Sequence, residues 1–233
     1  MLYQYFLHER AKSPEKVMAI WVIGDIHGHS KQLEQLLDFL PLASDDTIVF
    51  LGDVIDRGPD SAGVLRQIHQ LGQTHEVIFL RGNHEAMLLQ ARRSRDNLPF
   101  WIECGGGATL DSYRAKRFED IPDEDWSLFE TSRLYYETAE AIFVHANLDP
   151  NLPMNDQTES DLLWRFYNGP IHHRSGKFVV CGHTMQASGL PALSEHSVCI
   201  DTLPESGEGW LTAVDCARKT FWQVDHRGGR RMS

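Results

Sequence analysis

A chain of 233 residues with 42% apolar and 24% charged side chains is long enough to bury a full core and has the balance of a soluble globular protein. Its 22 basic and 33 acidic residues leave a net charge of −11, which argues against sequence-independent nucleic-acid binding, because that needs a basic footprint. No run of about 18 apolar residues is present, so no membrane span is expected.

Charged residues Glu9, Arg10, Lys12, Glu15 and Lys16 break up the stretch where a signal peptide would need its apolar segment. The four cysteines, Cys104, Cys181, Cys199 and Cys216, show neither C-x-x-C nor zinc-ribbon spacing. Cys181 and Cys199 sit inside apolar runs and read as small buried side chains, which fits a cytoplasmic protein in a reducing compartment.

Taken in order, residues 1–17 read as a flanking arm. Met18 to Ile23 is an apolar strand running into Gly24-Asp25-Ile26-His27-Gly28. Ser30 is placed to cap the following helix, which carries Leu33, Leu36, Leu37 and Leu40 on one face. Thr47 to Leu51 is a second buried strand, ending at Gly52-Asp53-Val54-Ile55-Asp56-Arg57-Gly58. A helix spans about Asp60 to Leu71. Val77 to Leu80 is a third strand, opening into Arg81-Gly82-Asn83-His84-Glu85 and another helix.

Residues 94–133 change character, with Pro99, a triple glycine at 105–107 and acidic residues from Glu119 to Asp125; they suggest a helical insertion or lid. Strands follow at Ala141 to Val144, ending at His145, and at Phe178 to Cys181, ending at Gly182-His183-Thr184. Short strands at 198–200, 211–214 and 221–224 look antiparallel. Residues 226–233 read as a disordered basic tail. No repeat or long linker divides the chain, so a single domain is expected.

The organising pattern is repetition. Five apolar strands each end in a turn bearing metal-capable side chains: Asp25 and His27, Asp53, Asn83 and His84, His145, and His183. Ligands of α/β sheets bind outside the carboxyl ends of strands, so these residues are expected to converge. Carboxylate, amide and imidazole donors suit divalent ions of borderline hardness. Asp53 has two oxygens and can bridge two ions; Asp56 can orient a histidine and Arg57 can grip a phosphate. A lone Asp after a strand is more often a turn former, and a lone His a core residue; five coincident clusters are not explained that way.

These motifs, Gly24-Asp25-Ile26-His27-Gly28, Gly52-Asp53 through Asp56-Arg57-Gly58, Gly82-Asn83-His84-Glu85, His145-Ala146 and Gly182-His183-Thr184, resemble the PPP family of metallophosphatases, in the form of its bacterial and phage serine/threonine protein phosphatases. The resemblance implies an α/β (α+β) fold of the calcineurin-like metallophosphoesterase type, a β-sandwich flanked by helices. It implies a dinuclear site, commonly of Mn2+, with Fe or Zn as alternatives. Asp25, His27 and Asp53 would hold the first ion, and Asp53, Asn83, His145 and His183 the second. His84, held by Asp56, would protonate the leaving alkoxide, Arg57 would bind phosphate, and water would attack phosphorus directly.

The chain departs from the family pattern at three places. The second phosphate-binding arginine is off by one in spacing, with Arg165 the choice and Arg174 the fallback. Met185 stands for a proline, and Leu203 for a glycine. The expected activity is removal of phosphate from phosphoserine or phosphothreonine, with phosphotyrosine as an extension, by a monomer acting on phosphoproteins. Hydrolysis of dinucleoside polyphosphates or another small phosphorylated metabolite is the second reading, and a silent phospho-binding module the third.

Overall fold

The apolar runs of this sequence are divided, residue by residue, between two faces. The computed structural model of the protein describes residues 18–203, 206 and 208–233; the arm expected at 1–17 lies outside the described residues. Strands β1 (Ile20–Ile23), β2 (Thr47–Phe50) and β3 (Glu76–Phe79) pair in parallel, joined by helices α1 (Ser30–Phe39) and α2 (Ser61–Leu71). Helix α3 (Asn83–Arg93) follows. Residues 95–131 are largely helical, including α4 (Leu98–Trp101), α5 (Gly107–Tyr113) and α6 (Asp123–Thr131).

The second sheet contains β4 (Tyr135–Glu137), β5 (Ala141–Val144), β6 (Phe178–Cys181), β7 (Ala192–Leu193) and β8 (Ser197–Cys199), in the order β4-β5-β6-β8-β7. Helix α7 (Glu159–Trp164) lies between β5 and β6 in the chain. The chain then returns to the first sheet through β9 (Trp210–Asp215), β10 (Thr220–Asp225) and β11 (Arg230–Met232), giving the order β11-β10-β9-β1-β2-β3.

Side chains alternate along a strand, so each run feeds two cores. Val22, Val49, Leu51, Ile78 and Leu80 from the first sheet meet Ala141, Phe143, Phe178, Val180 and Val198 from the second. The alternate residues Trp21, Ile23, Ile48, Phe50 and Phe79 turn the other way, against Leu33, Leu36, Val64, Ile68 and Leu88 of the helices. Ile142, Val144, Val179, Cys181 and Cys199 form a third cluster with Leu148 and Leu162. Each fully buried aliphatic or phenyl side chain contributes about 1.5–3 kcal/mol by leaving water. No helix among the described residues is long and apolar enough to cross a membrane.

Three expectations are corrected. β8 is antiparallel to β7 on one side but pairs in parallel with β6 on the other, with Cys181 opposite Cys199; β9, β10 and β11 are antiparallel to one another, as expected for 211–214 and 221–224. Residues 226–233 are not a disordered tail: they turn and add β11 to β10, with Trp222 opposite Met232. Arg231 makes this possible, since its guanidinium stacks on Trp210 at 3.9 Å while its Nε donates to Gln223 Oε1 at 2.7 Å. Ser30 does not cap α1. The N-cap position is His29, and Ser30 Oγ donates at 2.6 Å to Asp60, the residue that caps α2 by accepting the Gly63 N–H.

Candidate metal centre and active site

The five turns that follow β1, β2, β3, β5 and β6 meet at one end of the sandwich. The backbone there is bent beyond ordinary conformations: His27, Asp53, Asp56, Arg57 and His183 all have φ between 46° and 70°. Left-handed φ is unfavourable for non-glycine residues and gathers at functional sites. Close approach also requires glycine. A Cβ on Gly82 would lie 2.1 Å from Asp53 Oδ1, so no other residue leaves the β2 and β3 turns in contact.

The imidazoles have fixed tautomers. His27 Nδ1 lies 3.0 Å from the Ile55 carbonyl and His145 Nδ1 lies 3.1 Å from the Leu51 carbonyl. A carbonyl only accepts, so each Nδ1 carries the proton and each Nε2 presents a lone pair to the site. Asp53 lies between them, with Oδ2 3.7 Å from His27 Nε2 and Oδ1 3.5 Å from His145 Nε2. Its two oxygens thus serve two groups, His27–Asp53–His84 and Asp53–His145–His183, each compact enough to hold an ion.

The donor set has the chemistry of a cation site. His145 Nε2 stands 2.9 Å from Asn83 Oδ1, two acceptors facing each other with no proton to share. His183 Nε2 is buried without a hydrogen-bond partner. Asp25 accepts the His183 N–H at 3.1 Å and is itself buried. Burial drives the Asp25 and Asp53 carboxyls well above the usual carboxylate range, reinforced at Asp25 by Asp201 and at Asp53 by Glu85. Burial likewise pushes His27 well below its ordinary value, and His183 down to about 3. Two positive ions would reverse the carboxyl shift and reinforce the imidazole one, leaving both kinds of side chain in the unprotonated form that binds a cation. These residues fit a dinuclear centre.

Beside this cluster, His84 Nδ1 lies 2.8 Å from Asp56 Oδ2, both buried, while His84 Nε2 is 3.9 Å from Asp53 Oδ2. Burial opposes charge on both groups, lowering the pKa of the His84 imidazole and pushing Asp56 up to about 7. Arg57 extends over the site with Nη1 2.9 Å from His27 Nε2. Asp25, His27, Arg57, His84, His183 and Asp201 are among the residues that line a cavity of about 480 Å3.

The structure therefore brings together Asp25, His27, Asp53, Asn83, His145, His183, His84, Asp56 and Arg57. It does not bring Arg165. The backbone is extended there (φ −73°, ψ 121°), so Trp164 and Phe166 turn to the cavity and Arg165 turns away, ion-paired with Asp161 at 3.1 Å. Arg174 is no replacement; it donates to the Asn151 carbonyl and lines a separate hollow beside His173. Met185 and Leu203, the two departures in loop sequence, both border the cavity.

Asp201 escaped the sequence, and Glu85 entered it as part of the Gly82-Asn83-His84-Glu85 motif without a structural role. Asp201, 5% exposed, faces the cavity and follows β8 as the other acidic residues follow their strands; that shared position was its available signal. Glu85 is fully buried and accepts the N–H groups of Asp53, Val54 and Gly82 at 2.8, 3.0 and 2.8 Å. Its position in the first turn of α3 marks it as a capping acid and no more.

Residues 18–187 match the family model described as calcineurin-like phosphoesterase. The chain is 28% identical to a protein of Oceanobacillus iheyensis named as an asymmetrical bis(5'-nucleosyl)-tetraphosphatase, over 90% of this chain and 93% of that one. It is 31% identical to serine/threonine-protein phosphatase 2 of Escherichia coli (strain K12), over 71% of this chain and 79% of that one. In fold it is similar to a cold-active protein-tyrosine phosphatase of a psychrophilic Shewanella species, with a TM-score of 0.61 at 17% identity, covering 93% of this chain and 80% of that one.

Proposed function

This chain belongs to the calcineurin-like phosphoesterase family, and on that premise we propose that it removes phosphate from phosphoserine and phosphothreonine of proteins. Asp25, His27 and Asp53 would hold one divalent ion and Asp53, Asn83, His145 and His183 a second, Mn2+ in this reading. The pair supplies Lewis acidity to the phosphoryl oxygens and to the attacking water. Arg57 binds phosphate oxygens and stabilises the charge that develops on them. His84, as the imidazolium, gives its Nε2 proton to the leaving oxygen, while Asp56 accepts from Nδ1 and holds the ring in orientation.

The observation that carries this reading is the buried His84–Asp56 pair at 2.8 Å. A serine or threonine alkoxide is a poor leaving group and gains greatly from protonation as it departs. A phosphoanhydride expels a phosphate anion, which leaves without that help. A constructed proton donor therefore suits an alcohol ester better.

Trp164 and Phe166 favour a second reading. They are 39% and 62% exposed at the cavity rim, with Phe166 stacked on His183 at 5.4 Å. Such faces can stack a nucleobase, which suits a dinucleoside polyphosphate, the substrate class in the name of the Oceanobacillus relative. Rates on a phosphoserine peptide and on diadenosine tetraphosphate, each with Mn2+ added to metal-stripped protein, decide between them. A higher kcat/KM on the nucleotide overturns the first reading.

A further inference from the structure

The Asp56 carboxylate is held by more than His84. Trp101 Nε1 donates to Oδ2 at 2.8 Å, the same oxygen that faces His84 Nδ1. Thr109 Oγ1 donates to Oδ1 at 2.7 Å and accepts the Asp56 N–H at 2.9 Å. Trp101, Thr109 and Asp56 are all fully buried. Neither Trp101 nor Thr109 belongs to a strand-end turn; both come from the helical segment 98–113.

That segment is shaped to reach the site. Between α4 and α5 the backbone opens into a π-type turn, Ile102–Gly106, with Gly105 at φ 110°. The Gly105 carbonyl accepts the Arg57 N–H at 3.1 Å, and a Cβ on Gly105 would lie 2.8 Å from Arg57 Cγ. A Cβ on Gly106 would lie 2.3 Å from the Trp101 ring. Consecutive glycines thus let one segment press on Arg57 and seat the indole on Asp56.

We propose that Trp101 and Thr109 are positioning residues for proton transfer: they fix the Asp56 carboxylate, and through it the direction of the His84 ring. A buried indole N–H would be satisfied by any carbonyl. Here it shares an oxygen with His84, so a shift of the insertion reaches the imidazole through one carboxylate. The inference rests on the reading above, in which His84 protonates the leaving group.

The test compares leaving groups in the full chain with Mn2+. Trp101→Phe keeps the ring and deletes the N–H; Thr109→Val deletes the hydroxyl, and Thr109→Ser keeps it. The substrates are p-nitrophenyl phosphate, whose leaving group needs little protonation, and a phosphoserine peptide, whose leaving group needs it. Trp101→Phe and Thr109→Val should each lower kcat on the peptide about tenfold, part of the ~10²–10⁴ that a general acid supplies, with KM within about twofold. On the aryl ester kcat should fall less than threefold, and Thr109→Ser should restore the wild-type ratio.

Equal losses on both esters, or no loss on either, would overturn the inference. If Trp101→Phe does not fold, the two Thr109 variants answer the same question. His84→Asn locates the fault: a wild-type ratio of peptide to aryl rates that this substitution leaves unchanged sinks the reading beneath and the inference with it. A ratio changed by His84→Asn but by neither positioning variant sinks the inference alone.

Discussion

Glu85 accepts the Asp53 N–H at 2.8 Å through Oε2, the oxygen that also accepts Gly82 N–H, while Oε1 accepts that of Val54. One buried carboxylate thus ties the turn after β2 to the turn after β3. Glu85→Gln replaces one oxygen with an NH2 group that faces backbone donors. Leaving a buried donor unsatisfied costs about 1–3 kcal/mol, and disturbing the support of a metal ligand costs about 10–100-fold in affinity. Thermal unfolding and calorimetric Mn2+ titration of Glu85→Gln should show both losses. Unchanged Mn2+ affinity would mean that Glu85 merely caps α3.

His84→Asn separates chemistry from metal binding. In the proposed role, the substitution removes the proton donor and leaves Asp25, His27, Asp53, Asn83, His145 and His183 intact. Turnover of a phosphoserine peptide should fall about 10²–10⁴-fold, with metal content by elemental analysis unchanged. A parallel loss of metal would assign His84 to the cation site instead.

The metal-free protein should lose stability as pH rises above 6.5. Asp56 is pushed from 3.8 to about 7 by burial, and Asp25, Asp53 and Asp201 are raised well above 3.8 by the same cause. A raised carboxyl contributes stability that is full below its unfolded pKa and is lost as pH passes its folded one. His27, His84, His145 and His183, all depressed, act in the opposite sense, but only below 6.5, where the unfolded chain becomes protonated. Melting with chelator at pH 6.5 and 8.5 should therefore show a lower Tm at the higher pH. Mn2+ at 100 times its Kd should restore about 2.7 kcal/mol. A Tm that rises with pH in chelator would contradict the buried-carboxylate account.

Phe166→Ala tests the rim. Stacking on an aromatic side chain is worth about 1–3 kcal/mol per base, so kcat/KM on diadenosine tetraphosphate should fall at least about fivefold if the ring receives adenine. A small aryl phosphate reaches only the inner site and should change less than about twofold. Equal changes on both would point to disturbance of His183, on which Phe166 stacks.

Much of the site was visible locally. Asp25, Asp53, Asn83 and His145 stand within a few residues of unbroken apolar runs, and a strand buried on both faces delivers whatever follows it to the same end of the sheet. The strand boundaries shifted by only a residue or two. Arg165 shows where local reading stops. Its segment carries no period, and the direction of its side chain was set by Trp164 and Phe166 turning toward the cavity. β11 was hidden for a related reason: Gly228, Gly229 and three arginines resemble a free tail, and it takes Trp210, Gln223 and the Gly189 carbonyl, all distant in sequence, to give Arg231 somewhere to lie.

The order of residues alone determined the buried strands, the turns at their carboxyl ends and the donor types gathered there, because strand burial and turn chemistry act over a few neighbouring positions. Tertiary structure alone decided which groups support those donors. Trp101 and Thr109 meet Asp56 across 45 and 53 positions of chain, and contacts at that range leave no periodic trace. They exist because the insertion folds back over Arg57, and packing of that kind is settled by the whole molecule.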